Sequence, residues 1–411
     1  PAILALLRME MTTLGANNFL KSFTTMASER VDASSVLDAI SLSSSNKAPI
    51  CSSSLGQASQ PKTPSTTNII GIPKTIRLLM PSNYRKDLLS SILIPMKLVV
   101  FSLFPIIGQP SLFSDARPSV HETEEFVMVR TVEGKPLFEY RKKPSEKAKH
   151  KAPHYSRTGY IHPLYSPSGK IITGDYAPDH PHQHGLFFAW TKSSFRDKPT
   201  EFWNQKKKLG DIRFNQFLGK TENKKSLSLQ FEQIFTANKD SNEPILKETW
   251  KIVIPHKQRD YFQFDLTSIQ SCATEDPLVI ERYHYGGMAI RGNDQWMIKV
   301  EDGNPLGKMI TSEEKNPENG NHTRSRWVAM HGPVDGQECG VVVMNHPDNF
   351  RFPQWVRLHP TMPYFVYSPM VEEPFTIESG KPYISKFRYL LYDGTPDHGV
   401  IEGSWKEWIK N

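Results

Sequence analysis

Apolar and polar side chains alternate along Ser226-Leu-Ser-Leu-Gln-Phe-Glu232, Trp250-Lys-Ile-Val-Ile254 and Tyr261-Phe-Gln-Phe-Asp-Leu-Thr267. Successive side chains of a β-strand point to opposite faces of the sheet, so this period of two predicts strands with one buried face. Nearer the N-terminus, Glu133-Gly-Lys135 separates two more segments of this kind, 126–132 and 136–140, and predicts a hairpin.

The same pattern recurs at intervals through the rest of the chain. It predicts strands at residues 160–165, 170–173, 278–285, 326–330, 340–344 and 385–392. No long window repeats apolar residues at helical spacing, so we expect few and short helices, such as one at 403–409. The fold class is therefore predicted to be all-β, a large antiparallel β-sandwich.

The first 116 residues differ from the remainder. Residues 96–116 begin with Met96-Lys97, continue with an apolar run and end with Ser114-Asp-Ala116, which is the arrangement of a secretory signal peptide. The apolar run is shorter than the about 20 residues of a membrane span, although an uncleaved anchor is an alternative. We predict a secreted or periplasmic protein, with residues 117–411 as one domain and no other integral membrane association.

Residues 1–95 contain a Ser/Thr/Pro-rich tract at 41–68, and such a composition predicts disorder. They are interpreted as an upstream extension that the cell does not translate, with a regulatory segment as the alternative.

The formal net charge is +7, and the basic runs include Lys206-Lys-Lys208. Because no aromatic residues are interleaved with these runs, they indicate a solvated surface, and no nucleic-acid partner is predicted. Cys272 and Cys339 are compatible with one disulfide in an oxidising compartment or with two free thiols.

The richest functional signal is Asp175-Tyr-Ala-Pro-Asp-His-Pro-His-Gln-His-Gly-Leu-Phe-Phe-Ala-Trp190, which places His180, His182 and His184 two residues apart. In an extended backbone residues i, i+2 and i+4 share a face, so three imidazoles are expected to converge. Imidazole titrates near neutrality and is the commonest metal ligand. Pro181 cannot donate to a ladder, which favours an edge strand or a loop.

Other segments supply polar side chains suited to a ligand. Glu281, His284 and Arg291 flank Gly286-Gly287, whose backbone suits a bulge or close approach to a ligand. Arginine presents a planar fork of donors, and tryptophan offers an apolar face on which a sugar can stack. The predicted substrate-binding residues are His162, Trp190, His284, Arg291, Asn345, His346, Trp355 and Arg357.

Several blocks, in this order, resemble those of the bacterial PmoA-like family of secreted proteins, which carry the label methane oxygenase PmoA. The blocks are Asp179-His-Pro-His-Gln-His-Gly-Leu-Phe-Phe-Ala-Trp190, Phe202-Trp-Asn204, Tyr285-Gly-Gly-Met-Ala-Ile-Arg291, Arg326-Trp-Val328, Asn345-His-Pro-Asp-Asn349 and Trp355-Val-Arg357. The chain departs from the family pattern at Gln183 and at Asn345.

Methane oxidation by a membrane enzyme is not inferred from this label. Spanning a membrane needs long apolar helices or a barrel with an apolar outer band, and this chain has at most one short apolar segment. What the resemblance implies is a β-sandwich of the galactose-mutarotase-like kind, found in carbohydrate-active proteins of bacteria that degrade polysaccharides. A carbohydrate or another small molecule is therefore the expected partner.

Three hypotheses about function follow. The first is a carbohydrate-active enzyme that uses acid/base chemistry, with His182 or His184 as the acid and Glu281 as the base. In it, Arg291 or Arg357 orients the substrate. Such chemistry needs two groups of different proton affinity on either side of the reacting centre.

The second hypothesis is a metal-dependent hydrolase or oxygenase, in which His180, His182 and His184 bind one transition metal such as Zn, Cu or Fe. The third is a non-catalytic carbohydrate-binding protein that uses Trp190 and Trp355 as platforms. Whether the protein binds a cofactor therefore stays open, and the candidate is one transition metal.

Overall fold

Hydrogen-bonded strands make up most of the regular structure, as the alternating pattern predicts. The computed structural model describes residues 117–298 and 306–410, which belong to one compact unit. The predictions for residues 1–95 and 96–116 lie outside the described residues. In the described ranges every strand pairing is antiparallel.

Twenty-one strands, numbered in chain order, form three sheets in the described part of the chain. In spatial order, the nine-stranded sheet consists of β1 (Ser119–Glu122), β2 (Phe126–Arg130), β3 (Pro136–Arg141), β4 (Tyr160–Leu164), β5 (Leu186–Ala189), β13 (Gly287–Arg291), β19 (Tyr364–Tyr367), β18 (Trp355–Leu358) and β15 (Thr323–Arg324). The eight-stranded sheet consists of β14 (Lys308–Thr311), β16 (Trp327–Val334), β17 (Gln337–Asn345), β21 (Tyr383–Asp393), β11 (Phe262–Cys272), β10 (Pro244–Pro255), β9 (Ser226–Thr236) and β8 (Asp211–Glu222). The four-stranded sheet consists of β20 (Phe375–Ile377), β12 (Leu278–Ile280), β6 (Ser193–Phe195) and β7 (Lys198–Thr200).

The two large sheets pack face to face, so the prediction of an antiparallel β-sandwich is confirmed. The rings of Phe138 on β3 and Phe264 on β11 lie 5.3 Å apart, and those of Tyr367 on β19 and Phe387 on β21 lie 5.6 Å apart. The buried Tyr367 hydroxyl donates to the Val343 carbonyl across the interface. Apolar burial at these contacts is what holds the layers together.

Two predicted strands are wrong or too long. Residues 170–173 form only isolated bridges, including Thr173 with Gly292. The segment predicted at 278–285 is a strand only at Leu278–Ile280, because residues 281–286 leave the four-stranded sheet as a loop.

One α-helix, α1 (His398–Trp408), occurs in the described ranges and includes most of the predicted 403–409 segment. The Asp397 carboxylate caps it by accepting hydrogen bonds from the Gly399 and Val400 amides. Shorter 3₁₀ turns lie at Glu146–His150, Pro153–Tyr155 and Gln205–Lys207. Helix α1 covers the outer face of the eight-stranded sheet, where Ile401, Trp405 and Trp408 join a second apolar cluster.

Both cysteines of the described region, Cys272 and Cys339, are free thiols. None of the helices described here is sufficiently long and apolar to pass through a membrane.

Candidate functional site

Strand register places three polar side chains on the outer face of the nine-stranded sheet, away from the eight-stranded sheet. Arg291 on β13 lies opposite Tyr364 on β19, and Val366, two residues further along β19, lies opposite Arg357 on β18. Directly opposed residues of antiparallel strands point to the same face. The alternate residue Tyr367 points inward, where its ring lies 5.6 Å from that of Phe387 on β21 of the eight-stranded sheet.

Loops at the ends of these strands add histidines to this face. The rings of His180 and His182 lie 5.3 Å apart, and that of His359 lies 6.2 Å from His180. The His359 ring in turn lies 4.9 Å from the Tyr364 ring. Loop histidines and a strand tyrosine therefore form one continuous line of side chains.

Two more histidines continue the line beyond Arg357. The ring of His284 lies 6.2 Å from that of His322, and His322 Nε2–H donates to the His284 carbonyl at 3.0 Å. The positive charge of Arg357 acts on both imidazoles, on His359 and on Tyr364. We call this group the histidine cluster; it comprises His180, His182, His284, His322, His359, Tyr364 and Arg357.

The expected convergence of His180, His182 and His184 is wrong. The segment is not extended: the Gln183 amide donates to the His180 carbonyl at 2.9 Å, which closes a turn. The turn separates His184, which is 0% exposed, from the partly exposed His180. Within residues 117–298 and 306–410, no three His, Cys, Asp or Glu side chains form a group suited to a metal ion. The predicted metal-ligand set therefore does not fit the structure.

His184 instead forms a buried pair with Asp175. Its Nδ1–H donates to the Asp175 carboxylate at 2.9 Å, and the hydroxyls of Ser145 and Tyr160 donate to the same carboxylate at 2.6 and 3.1 Å. Burial would raise the pKa of Asp175, but the hydrogen bond from His184 and the other contacts lower it to about 2. Burial lowers the pKa of His184 despite the carboxylate, so the pair is a neutral imidazole beside an ionised acid.

Arg291 holds the loop that carries His180 and His182. Its guanidinium, 1% exposed, donates to the Gln183 side-chain oxygen at 2.9 Å and to both carboxylate oxygens of Asp179. It also donates to Asp294 at 3.2 Å. These contacts occupy the guanidinium, so Arg291 positions the loop and does not present a free fork to a ligand.

The imidazoles of His182 and His359 are neutral at physiological pH. Burial lowers the pKa of His182 to about 3, with nearby His180, His184 and Arg291 adding to the effect. Burial, together with the charge of Arg357, lowers the pKa of His359 to about 4. Neutral imidazole is both a donor and an acceptor, which is what proton transfer to and from a substrate requires.

Backbone contacts select opposite tautomers at two cluster histidines. His359 Nδ1 accepts from the Thr361 and Met362 amides at 3.3 and 3.2 Å, so its ring proton lies on Nε2. His322 donates from Nε2, so its Nδ1 carries the lone pair in the neutral ring. Burial and Arg357 lower the pKa of His322 and favour that neutral ring.

Several predicted residues lie away from the histidine cluster. Trp190 is fully buried and its indole N–H donates to Gln270 inside the sandwich, so it is a core residue and not a platform. The Asn345 carbonyl accepts from Trp405, and His346 packs on Trp408, both against helix α1. The structure therefore contradicts a shared site for these three residues and the cluster.

His162 on β4 and Trp355 on β18 belong to the nine-stranded sheet, and Glu281 follows β12 of the four-stranded sheet, but all three make other contacts. Ser194 donates to the Glu281 carboxylate at 3.4 Å, next to β12, and no described contact joins Glu281 to a cluster histidine. His162 bonds to Thr173 at 2.9 Å, and burial lowers its pKa to about 4. Trp355 points to the same face as Arg357, but the Arg324 guanidinium lies 5.0 Å from the centre of its ring.

Sequence reasoning missed His322, His359, Tyr364 and Tyr285. His359 is part of a His-Pro pair two residues after Arg357; the same dipeptide occurs at His162, His180 and His346, so it does not by itself mark a residue of the cluster. His322 adopts a left-handed backbone with a φ of 57°, which non-glycine residues seldom do away from constrained sites. Nothing in the sequence pattern marks Tyr364, because only strand pairing brings it to the cluster. Tyr285 begins one of the blocks quoted above and lies in the loop before β13, with its ring 4.7 Å from that of His284.

Fold and site together define a class: an antiparallel β-sandwich with a cluster of histidines and one arginine on the outer face of its larger sheet. The chain belongs to the family of unknown function DUF6807, whose model matches residues 128–406. The search of curated proteins gives no match.

Two solved structures are similar to the chain. One is a heparan sulfate lyase from Pedobacter heparinus, at 12% identity and a TM-score of 0.31, covering 69% of this chain and 36% of that one. The other is a candidate mutarotase from Salmonella typhimurium, at 8% identity and a TM-score of 0.31, covering 72% of this chain and 97% of that one. The chain thus spans about a third of the length of the lyase that it matches.

Proposed function

We propose that the histidine cluster is the active site of a secreted carbohydrate-active enzyme that transfers protons to and from a sugar. The observation that carries the proposal is the pair of opposite tautomers: His359 offers a proton at Nε2, whereas His322 offers a lone pair at Nδ1. A proton donor and an acceptor in one site are the minimum requirement of acid/base catalysis.

The neighbourhood of this pair suits a polyhydroxylated ring. The rings of His284 and Tyr285 are 4.7 Å apart, and Tyr283 and Tyr285 are both half-buried. Half-buried aromatic rings supply apolar faces, while imidazoles and a guanidinium supply directed hydrogen bonds. Sugars present both kinds of surface, which favours them over purely apolar ligands.

In this proposal the acid and base roles move from His184 and Glu281 to the cluster. His182 stays a candidate donor or acceptor, His359 is the candidate acid and His322 the candidate base. Tyr364, which lies close enough to Arg357 for that charge to act on its phenol, orients a substrate hydroxyl. The resemblance to PmoA-like proteins and the secreted location stay predictions beside this proposal.

Turnover of a glycan panel by the purified full-length chain tests the proposal. We expect His359→Gln and Tyr364→Phe to lower kcat by about 100-fold or more, the usual contribution of one positioned acid or base. The matched control is His346→Gln, a histidine packed on Trp408, which we expect to retain full activity.

A pH profile distinguishes catalysis from simple structural support. Because the base must be neutral and burial lowers its pKa, kcat/KM should be flat near pH 7 and fall below pH 6.5. Saturable glycan binding without turnover would favour the non-catalytic alternative. A rate that rises as the pH falls from 6.5 would contradict the assignment of a neutral base.

A further inference from the structure

Two arginines of the outer face differ in what neutralises them. Arg291 has ion pairs with Asp179 and Asp294 at 3.2 Å. Arg357 forms no ion pair with any described carboxylate, although the Nε atoms of both arginines are buried without a hydrogen-bond partner in the described ranges. A charge in a partly buried position is normally compensated, so the missing partner of Arg357 requires an explanation.

The charge of Arg357 acts on His284, His322, His359 and Tyr364. No carboxylate contributes to the electrostatics of His284 or His322, and the one that acts on His359, Asp179, is already paired with Arg291. Three other arginines on this sheet pair with acids: Arg141 with Glu139, Arg291 with Asp179 and Asp294, and Arg324 with Glu372. The exposed Arg130 donates to the Gly134 carbonyl. The region around Arg357 is therefore positive, with donors on several sides.

We infer that Arg357 binds an anionic group on the sugar, a carboxylate or a sulfate ester, and that the substrate is consequently an acidic glycan. The guanidinium fork matches the two oxygens of such a group, and the rings of Tyr364 and His359, 4.9 Å apart and both acted on by the charge of Arg357, supply further donors. The inference rests on the proposed function, since it names the substrate class of the same site.

Pairs of ligands that differ only in charge provide the direct test. Binding of galacturonate, glucuronate and mannuronate oligosaccharides to the full-length chain is measured by calorimetry beside their methyl esters, which keep the ring and remove the charge. A sulfated neutral oligosaccharide forms a third arm and distinguishes a sulfate from a carboxylate. We expect at least one anionic ligand to bind tenfold or more tightly than its uncharged counterpart, the usual effect of one charge-assisted contact.

Substitutions of Arg357 test whether this residue causes the preference for anionic ligands. Arg357→Gln should abolish the preference for the anion and leave the methyl ester binding unchanged, while Arg357→Lys should keep part of it. Arg196→Gln is the control, because Arg196 is exposed and pairs with Asp276 and Glu243. If Arg357→Gln unfolds, Arg357→Lys and the ester comparison still decide the question.

The outcomes separate the inference from the proposed function. Turnover or binding that depends on His359 but is equal for acid, ester and sulfated ligands would overturn the inference and leave the acid/base proposal standing. Failure of every sugar, charged or neutral, to bind or react would overturn both.

Discussion

Replacing Asp175 by asparagine tests whether the buried Asp175–His184 pair holds the loop of the histidine cluster. The carboxylate is 0% exposed and accepts from His184, Ser145 and Tyr160. Its pKa falls from 3.8 to about 2 on folding, which corresponds to about 2 kcal/mol of stability at neutral pH. Asparagine keeps the shape and one acceptor but loses the charge, so we expect Asp175→Asn to lower the free energy of unfolding by that amount.

The stability difference between wild type and Asp175→Asn should depend on pH in a definite direction. A depressed carboxyl pKa adds stability that is complete above the unfolded value and is lost as the pH falls through the folded value. The difference between wild type and Asp175→Asn should therefore be constant from pH 7 to 5, about half as large at pH 3, and small by pH 2.

Urea unfolding at several pH values measures the difference, and Asp335→Asn is the control. Asp335 is an exposed acid paired with Lys170, and we expect no measurable change there. A difference that persists unchanged at pH 3, or no difference at pH 7, would refute the assignment of the stability to an ionised Asp175.

Three further predictions follow from individual contacts. Trp190→Phe should cost about 3 kcal/mol, because it removes buried ring atoms and leaves the Gln270 oxygen without the indole donor, and it should leave glycan binding intact; urea unfolding and calorimetry check both. Asp397→Ala should cost about 1 kcal/mol by removing the cap of helix α1, measurable in the same urea experiment. If residues 96–116 are a cleaved signal peptide, mass spectrometry of the mature protein should find an N-terminus at or next to Arg117, and an N-terminus at Pro1 or another upstream residue would contradict this prediction.

The alternating segments predicted the architecture well because a strand's side-chain period is a local property. The hairpin at 126–140 became β2 and β3, and the three segments from 226 to 267 became β9, β10 and β11. The strand predicted at 170–173 does not form. The backbone there makes only isolated bridges, Ile171 with Tyr165 and Thr173 with Gly292, and does not continue a ladder.

The histidine segment adopts a conformation that the spacing of its residues does not predict. Spacing alone placed His180, His182 and His184 on one face, whereas the turn closed by Gln183 and the attraction of Asp175 for His184 moved the last ring into the core. These hydrogen bonds within the loop, together with those from the distant Arg291 to Asp179 and Gln183, outweighed the period of the local sequence.

By itself the sequence determined the strand pattern, the antiparallel sandwich, the region rich in histidine and the presence of Arg357. Only the tertiary structure decided which of these side chains meet. Arg291, Arg357 and Tyr364 share a face because β13, β19 and β18 pair in one register, and a shift by one residue would point them into the core. His322 and His359 join them through loops whose course depends on the packing of the whole sheet, which no local pattern encodes.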